Sequence, residues 1–240
     1  MENLANKKVL ILGGSTGLGL ATAKAAAAEG ALVTIVSKNQ KRLDDAAKQL
    51  PPGTTAFAID LSDEKAIQSF FDTFGNFDHL VYTAGENLSL SVIKDMDLAA
   101  SRRYFDIRYW GAVAAVKFGA PYINPGGSVT LTSGIAAVKP TISWSIGSSI
   151  CAAMEGFTRV MALELAPVRV NIVSPGLVRS NLWDSMNATE REQLFDTFAQ
   201  ALPVRWVAAP EDIAPTYLYL MKQAYSTGQK VTVDGGALLI

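Results

Sequence analysis

Near the start of the chain, Gly13-Gly14-Ser15-Thr16-Gly17-Leu18-Gly19 combines small residues with a spacing suited to holding phosphate. Glycines at 13, 17 and 19 permit a tight turn and let main-chain amides come close to an anion. The apolar run from Val9 to Leu12 before the loop reads as a strand, and the alanine-rich stretch from Leu20 to Ala28 after it as a helix. A glycine turn in that setting aims the positive end of the helix at a pyrophosphate. The strand before it and the helix after it separate this reading from that of a plain glycine-rich turn. The candidate contacts of the cradle are Gly13, Ser15, Thr16, Gly17, Leu18 and Gly19.

The second apolar run ends at Ser37-Lys38-Asn39, where an acidic side chain would hold the adenosine ribose of NAD. No acid is present. Lys38, with Arg42 nearby, suits the 2′-phosphate of the alternative nucleotide, so the expected cofactor is NADP(H) in preference to NAD(H). The competing reading leaves both cations as solvated charges on the next helix. His79, the one histidine, opens an apolar strand and reads as structural. The single cysteine, Cys151, has no histidine nearby in sequence and reads as a small core residue. No cluster has metal-ligand spacing, so no metal is expected.

Short apolar runs alternate with helical patterns throughout and must position these groups. Seven candidate strands are Val9 to Leu12, Leu32 to Val36, Ala56 to Ile59, Leu80 to Tyr82, Val129 to Leu131, Val168 to Val173 and Val231 to Val233. Their continuous apolarity suggests strands covered on both faces, as in a parallel sheet between two helix layers. Ile67, Phe70, Phe71 and Phe74 form the stripe of a helix docked on that sheet. The fold class is therefore α/β: one Rossmann-like domain over residues 1–240, with a doubly wound seven-stranded parallel sheet. Pro175 and Gly176 break the alternation, and Thr189 with Glu192 has capping-box spacing for a helix ahead of Pro203. Residues 176–203 are expected to form a lid over the substrate.

At 240 residues and 49% hydrophobic, the chain can bury one substantial core. A formal net charge of −1 gives no basic footprint, so neither nucleic acid nor an anionic membrane is an expected partner. A small molecule is. With no possible intramolecular disulfide, no signal-peptide pattern and no apolar run of membrane-spanning length, the expected location is cytoplasmic.

Taken in order, several segments resemble the short-chain dehydrogenase/reductase family. Leu12 to Gly19 resembles its Thr-Gly-x-x-x-Gly-x-Gly loop with leucine for threonine, and Tyr82-Thr83-Ala84-Gly85 is similar to its Asn-Asn-Ala-Gly. Asp60-Leu61 resembles its adenine-contacting pair. Leu163-Glu164-Leu165-Ala166, Arg169 through Gly176, Thr227-Gly228-Gln229 and Val233-Asp234-Gly235-Gly236 resemble its later core and ending. The resemblance implies hydride exchange between a nicotinamide and a small carbonyl or alcohol. It also implies cofactor contacts at Ser37, Asp60, Leu61, Ala84, Gly85, Pro175, Gly176 and Val178, and a homodimer or homotetramer built through the long helices after the fourth and fifth strands.

The family's catalytic serine matches Ser133, but aligning on Glu155-Gly156-Phe157-Thr158-Arg159 puts Gly147 at its tyrosine and Cys151 at its lysine. No tyrosine lies between Tyr122 and Tyr217, so a small alignment shift does not restore the pair. The family's asparagine aligns with Arg108 in Phe105-Asp106-Ile107-Arg108-Tyr109-Trp110-Gly111. Arginine stays protonated and cannot be a general acid, but it can stabilise charge. Arg108 and Ser133 are thus the expected catalytic pair, an oxyanion site for a carbonyl or carboxylate. The other reading of Arg108 is an ion pair with Asp106 or across a subunit interface. Lys139, Trp144, Ser145, Ser148 and Tyr82 are further pocket candidates, and Trp110, Trp183 and Trp206 candidate contact surfaces. Two functions stay open: an NADP(H)-dependent oxidoreductase with a rebuilt proton path, or an inactive nucleotide-binding or sensing protein on the same fold.

Overall fold

The computed structural model describes residues 3–87 and 90–240. The first half of the chain runs β1 (Lys8–Leu12), α1 (Gly17–Ala28), β2 (Leu32–Ser37), α2 (Gln40–Ala47), β3 (Thr55–Ala58), α3 (Glu64–Phe74) and β4 (Phe77–Tyr82). The second runs α4 (Leu98–Phe105), α5 (Gly111–Gly119), β5 (Ile123–Thr132), α6 (Ser145–Glu164), β6 (Arg169–Pro175), α7 (Ala188–Ala201), α8 (Pro210–Lys222) and β7 (Lys230–Val233). The seven strands form one sheet in the order β3-β2-β1-β4-β5-β6-β7, with every neighbouring pair parallel. All seven expected strands are present, most of them longer than their apolar cores.

Side-chain alternation along β1 divides the core in two. Leu10 and Leu12 enter a cluster with Ile67, Phe70 and Phe71 of α3, Ala112, Ala114, Ala115 and Val116 of α5 and Ile150 of α6. Val9 and Ile11 point the other way, among Ala23 and Ala26 of α1, Leu43 of α2 and Ile213, Tyr217 and Leu220 of α8. Each such large apolar side chain contributes about 1.5–3 kcal/mol on full burial. Cover on both faces holds for β1, β4 and β6, but β3 at the sheet edge is exposed along its whole length. The α3 stripe forms as its spacing requires: Asp63 caps the helix through Lys65 N and Ala66 N, and Gly75 at φ 81° ends it.

The segment after β6 carries a third, smaller cluster of Trp183, Phe195, Leu202, Val207 and Ala237. Its helix α7 does not begin with a Thr189–Glu192 capping box. Asn187 is the cap, accepting from Thr189 N at 2.8 Å and Glu190 N at 3.1 Å, because Glu192 is drawn away to Arg179 at 2.6 Å. β1 lies between β2 and β4, so the chain winds outward in both directions from it. A crevice opens at the strands' carboxyl ends, the place where open α/β sheets take ligands.

Candidate functional site

The glycine loop is built by close approach. A Cβ on Gly13, whose φ is +93°, would lie 2.5 Å from Ala84 N, and one on Gly19 would lie 2.2 Å from Gly13 O. Only hydrogen fits at either place, so the segment after β4 closes directly onto the loop. Val36 O at the end of β2 accepts from Gly13 N at 2.8 Å and Gly14 N at 3.2 Å, and Ser15 Oγ donates to Ser37 Oγ at 2.9 Å. Thr16 enters α1 with an extended backbone and provides no side-chain cap. The first amides of α1, at Gly17, Leu18 and Gly19, therefore face the crevice uncapped, whereas Asn39, Asp63, Asp97 and Asn187 cap α2, α3, α4 and α7. Such an N-terminus under a glycine cradle fits a pyrophosphate. Sequence reasoning missed Ser180, whose Cβ lies 3.8 Å from where a Gly17 Cβ would stand.

At the end of β2, Lys38 Nζ pairs with Asp60 Oδ2 at 2.5 Å. The hydrogen bond to Asp60 and its negative charge raise the Lys38 pKa. Burial pushes the Asp60 carboxyl up, but Lys38 and Ser62 outweigh it and hold the group below the usual carboxylate range. Lys38 and Asp60 thus meet each other, 22 residues apart. Leu61 is buried. Arg42 is exposed, and its main-chain N–H donates to Asn39 Oδ1 at 2.9 Å. Pro175 ends β6; Gly176 N donates to Val233 O at 2.9 Å. Val178 is buried in the core, with its carbonyl accepting from Trp183 Nε1 at 2.9 Å.

Arg108 lies in a turn of π-helix, Asp106–Trp110, joining α4 to α5. The wider turn frees the Ile107 carbonyl, and the Tyr82 hydroxyl donates to it. Tyr82 is therefore committed to the core, its hydroxyl held protonated by burial, and does not line the pocket. The Arg108 guanidinium lies across Gly85, where a Cβ would meet Cζ at 2.5 Å. Its Nη2 donates to Glu86 O, and among the described residues it makes no ion pair with Asp106. Burial lowers the Arg108 pKa, and Cys151 is the first of the neighbours that oppose this.

Ser133, just past β5, is not open on all sides. Its Oγ donates to Glu155 Oε1 at 3.1 Å, with Cys151 O at 3.2 Å. Glu155 is 7% exposed, and its Oε2 accepts from Lys230 Nζ at 3.1 Å. Burial raises the Cys151 thiol, against a hydrogen bond with Ser133 and the charge of Arg108, so it sits neutral near the two expected catalytic residues. Glu155 and Lys230 were not expected in the site. The available signal was spacing, since Glu155 follows Cys151 by four residues and so shares its helix face.

Other candidates lie elsewhere. Lys139 Nζ donates to Ala237 O at 2.5 Å and Ile240 O at 2.9 Å, and Trp144 packs on Trp183 at 5.9 Å between ring centroids. Trp183 is 7% exposed and offers no contact surface, unlike Trp110 at 59% and Trp206 at 50%. Ser145 and Ser148 lie in the first turn of α6, and Gly147 is buried there. His79 is buried against Ser128 Oγ at 2.9 Å, and burial lowers its pKa from 6.5 to about 4. Among the described residues no acidic, His or Cys cluster can hold a metal ion, and no helix is long and apolar enough to cross a membrane.

A family model described as enoyl-(acyl carrier protein) reductase matches residues 13–237. A short-chain dehydrogenase/reductase of Stachybotrys chlorohalonatus is 32% identical over 100% of both chains. Among solved structures, a small-chain dehydrogenase in complex with NADPH is 35% identical, with a TM-score of 0.83 over 98% of this chain and 100% of that one. The MalC reductase/Diels-Alderase of Malbranchea aurantiaca is 30% identical, with a TM-score of 0.90 over 99% and 98%. With the sheet order, the glycine cradle and these matches over nearly the whole length, the chain belongs to the short-chain dehydrogenase/reductase family of oxidoreductases.

Proposed function

We propose that this chain is an NADP(H)-dependent oxidoreductase of small carbonyls or alcohols in which Gly147 and Cys151 replace the family's tyrosine and lysine. The observation that carries the reading is the uncapped amino end of α1 beneath the Gly13–Gly19 cradle. A pyrophosphate would take the amides of residues 17–19, with Ser15, Thr16 and Ser180 at the rim. Lys38, with Arg42, would hold a 2′-phosphate, exchanging the Asp60 carboxylate for it. Asp60 and Leu61 would border the adenine, and Ala84, Gly85, Pro175, Gly176 and Val178 the remainder through main chain. When bound, the cofactor supplies the hydride donor or acceptor.

Ser133 and Glu155 supply a proton path. Ser133 already donates to Glu155, so its Oγ lone pairs are free to accept from a substrate hydroxyl. In alcohol oxidation the substrate proton passes to Ser133 Oγ while the Ser133 proton passes to Glu155 Oε1; carbonyl reduction reverses both transfers. Lys230 steadies the carboxylate and is the partly exposed end of the chain. Residues 176–203 act as the lid, anchored by Arg179 to Glu192 and over the Phe195 ring at 4.5 Å. A homodimer or homotetramer would cover the exposed Trp110, Val160 and Leu163 on the π turn and α6.

The test is calorimetric titration with NADPH and NADH, followed by NADPH with a broad carbonyl panel while watching loss of reduced-nicotinamide absorbance. Tighter NADH binding overturns the cofactor reading. Tight NADPH binding without turnover on any carbonyl favours the inactive, nucleotide-sensing reading, for which Gly147 at the tyrosine position already speaks.

A further inference from the structure

We infer that Arg108 is a receptor for a carboxylate, so that the substrate is a carbonyl or hydroxy compound that also bears an acid group. The inference rests on reading this crevice as the substrate site and adds the charge of the substrate.

Three elements converge on the guanidinium. Gly85 lies beneath it, three residues past the end of β4, and Cys151 of α6 lies near both it and Ser133, which follows β5. This is the ligand crevice at the carboxyl ends of the strands. The cation here is poorly satisfied. Of its five N–H donors, the described residues meet one, through the Glu86 carbonyl. The Nε is buried with no hydrogen-bond partner. Among the described residues no carboxylate lies within ion-pair reach, although the lysines and arginines of nine other contacts have one.

A buried donor without a partner is costly, and Arg108, half-buried with its Nε shut away from water, is completed by something outside the chain. Its surroundings point to which anion. The neighbours whose charges act on Arg108 are Cys151, Glu86, Tyr82 and Tyr104, with no second cation among them. Phosphate would call for more positive charge than one guanidinium, whereas a single carboxylate matches its planar fork. Gly85 adds a geometric reason, because any side chain there would displace the guanidinium: Nη1 and Nη2 would stand 2.6 and 2.7 Å from its Cβ.

The test needs no turnover. Acetate, butyrate and benzoate, each beside its primary amide, are titrated onto the protein with and without NADP+, using saturation-transfer NMR. Each acid is expected to bind at least tenfold tighter than its amide, and Arg108→Met is expected to erase that preference while leaving NADPH affinity within twofold. Arg108→Lys, which keeps the charge and loses the fork, is expected to retain part of it. Equal binding of acids and amides by the wild type overturns the inference, as does a preference that survives Arg108→Met in folded protein. If Arg108→Met does not fold, the acid–amide comparison on the wild type and Arg108→Lys decides. Loss of the cofactor reading would register separately, as failure of NADPH to bind, while an acid preference sensitive to Arg108 would still support the receptor.

Discussion

Two glycines with nearly the same φ allow the close approach in the cradle to be measured. Gly13 and Gly53 have φ of +93° and +97°, so alanine at either meets the same left-handed strain, about 1–2 kcal/mol. At Gly53 nothing lies within 4 Å of the new carbon, and the cost ends there. At Gly13 the carbon would stand 2.5 Å from Ala84 N and 2.7 Å from Ala84 Cα, both main chain, where ordinary contact begins at 3.4 Å. The loop and the segment after β4 must part, and forced packing of this kind adds about 1–3 kcal/mol. In a domain of this size each kcal/mol lowers the melting temperature by about 2–4 °C. Gly13→Ala should therefore melt about 2–12 °C below Gly53→Ala, a separation read by circular dichroism on matched samples. It should also bind NADPH at least tenfold more weakly, because the displaced loop carries the amides that face the pyrophosphate, while Gly53→Ala binds as the wild type does. Equal melting shifts for the two variants, or unchanged NADPH affinity in Gly13→Ala, would refute the reasoning.

Lys38→Met should weaken NADPH about tenfold to a hundredfold, the span of a charged hydrogen bond of about 1.5–3 kcal/mol, and leave NADH nearly unchanged. Calorimetry that finds both weakened alike would remove Lys38 from the 2′-phosphate. Glu155→Gln keeps the shape but not the base, so kcat should fall at least about a hundredfold with NADPH affinity intact; an unchanged kcat would eliminate the Ser133–Glu155 proton path. His79, with its pKa lowered from 6.5 to about 4, binds its proton less readily folded than unfolded. Its contribution to stability is therefore whole above pH 6.5 and is lost as the pH falls toward 4, by about 3 kcal/mol at the limit. Urea unfolding across that range should show a loss that His79→Gln flattens; parallel profiles would count against it.

The parts of the molecule legible in its sequence are those written locally. A strand buried on both faces is apolar along most of its length, so Val9 to Leu12 and Leu80 to Tyr82 announce the sheet without any partner being known. The cradle needs glycine at 13 and 19 because a main-chain atom occupies the space of a side chain, and that requirement too is visible as residue type. Groups defined by distant partners are not visible in this way. Glu192 has the spacing of a capping residue, but Arg179 offers it a charge, and Asn187 takes over the cap. Tyr82 reads as a pocket candidate at the end of a strand, but it turns inward to a carbonyl freed by the π turn.

The crevice is the extreme case of the same rule. Glu155 reaches Ser133 across 22 residues and Lys230 across 75, so no window of sequence contains the relay. Arg108 differs again. Its type and position are plain in the sequence, and what is not plain is that among the described residues folding brings it no ion pair. An exposed arginine without one would carry no meaning, since water completes it. Here the side chain is half-buried, and its Nε is shut away from water with no hydrogen-bond partner among the described residues. If the proposed receptor holds, the cation on the π turn is completed by an acid carried in by the ligand, and the acid–amide comparison on wild type and Arg108→Met is the measurement that decides it.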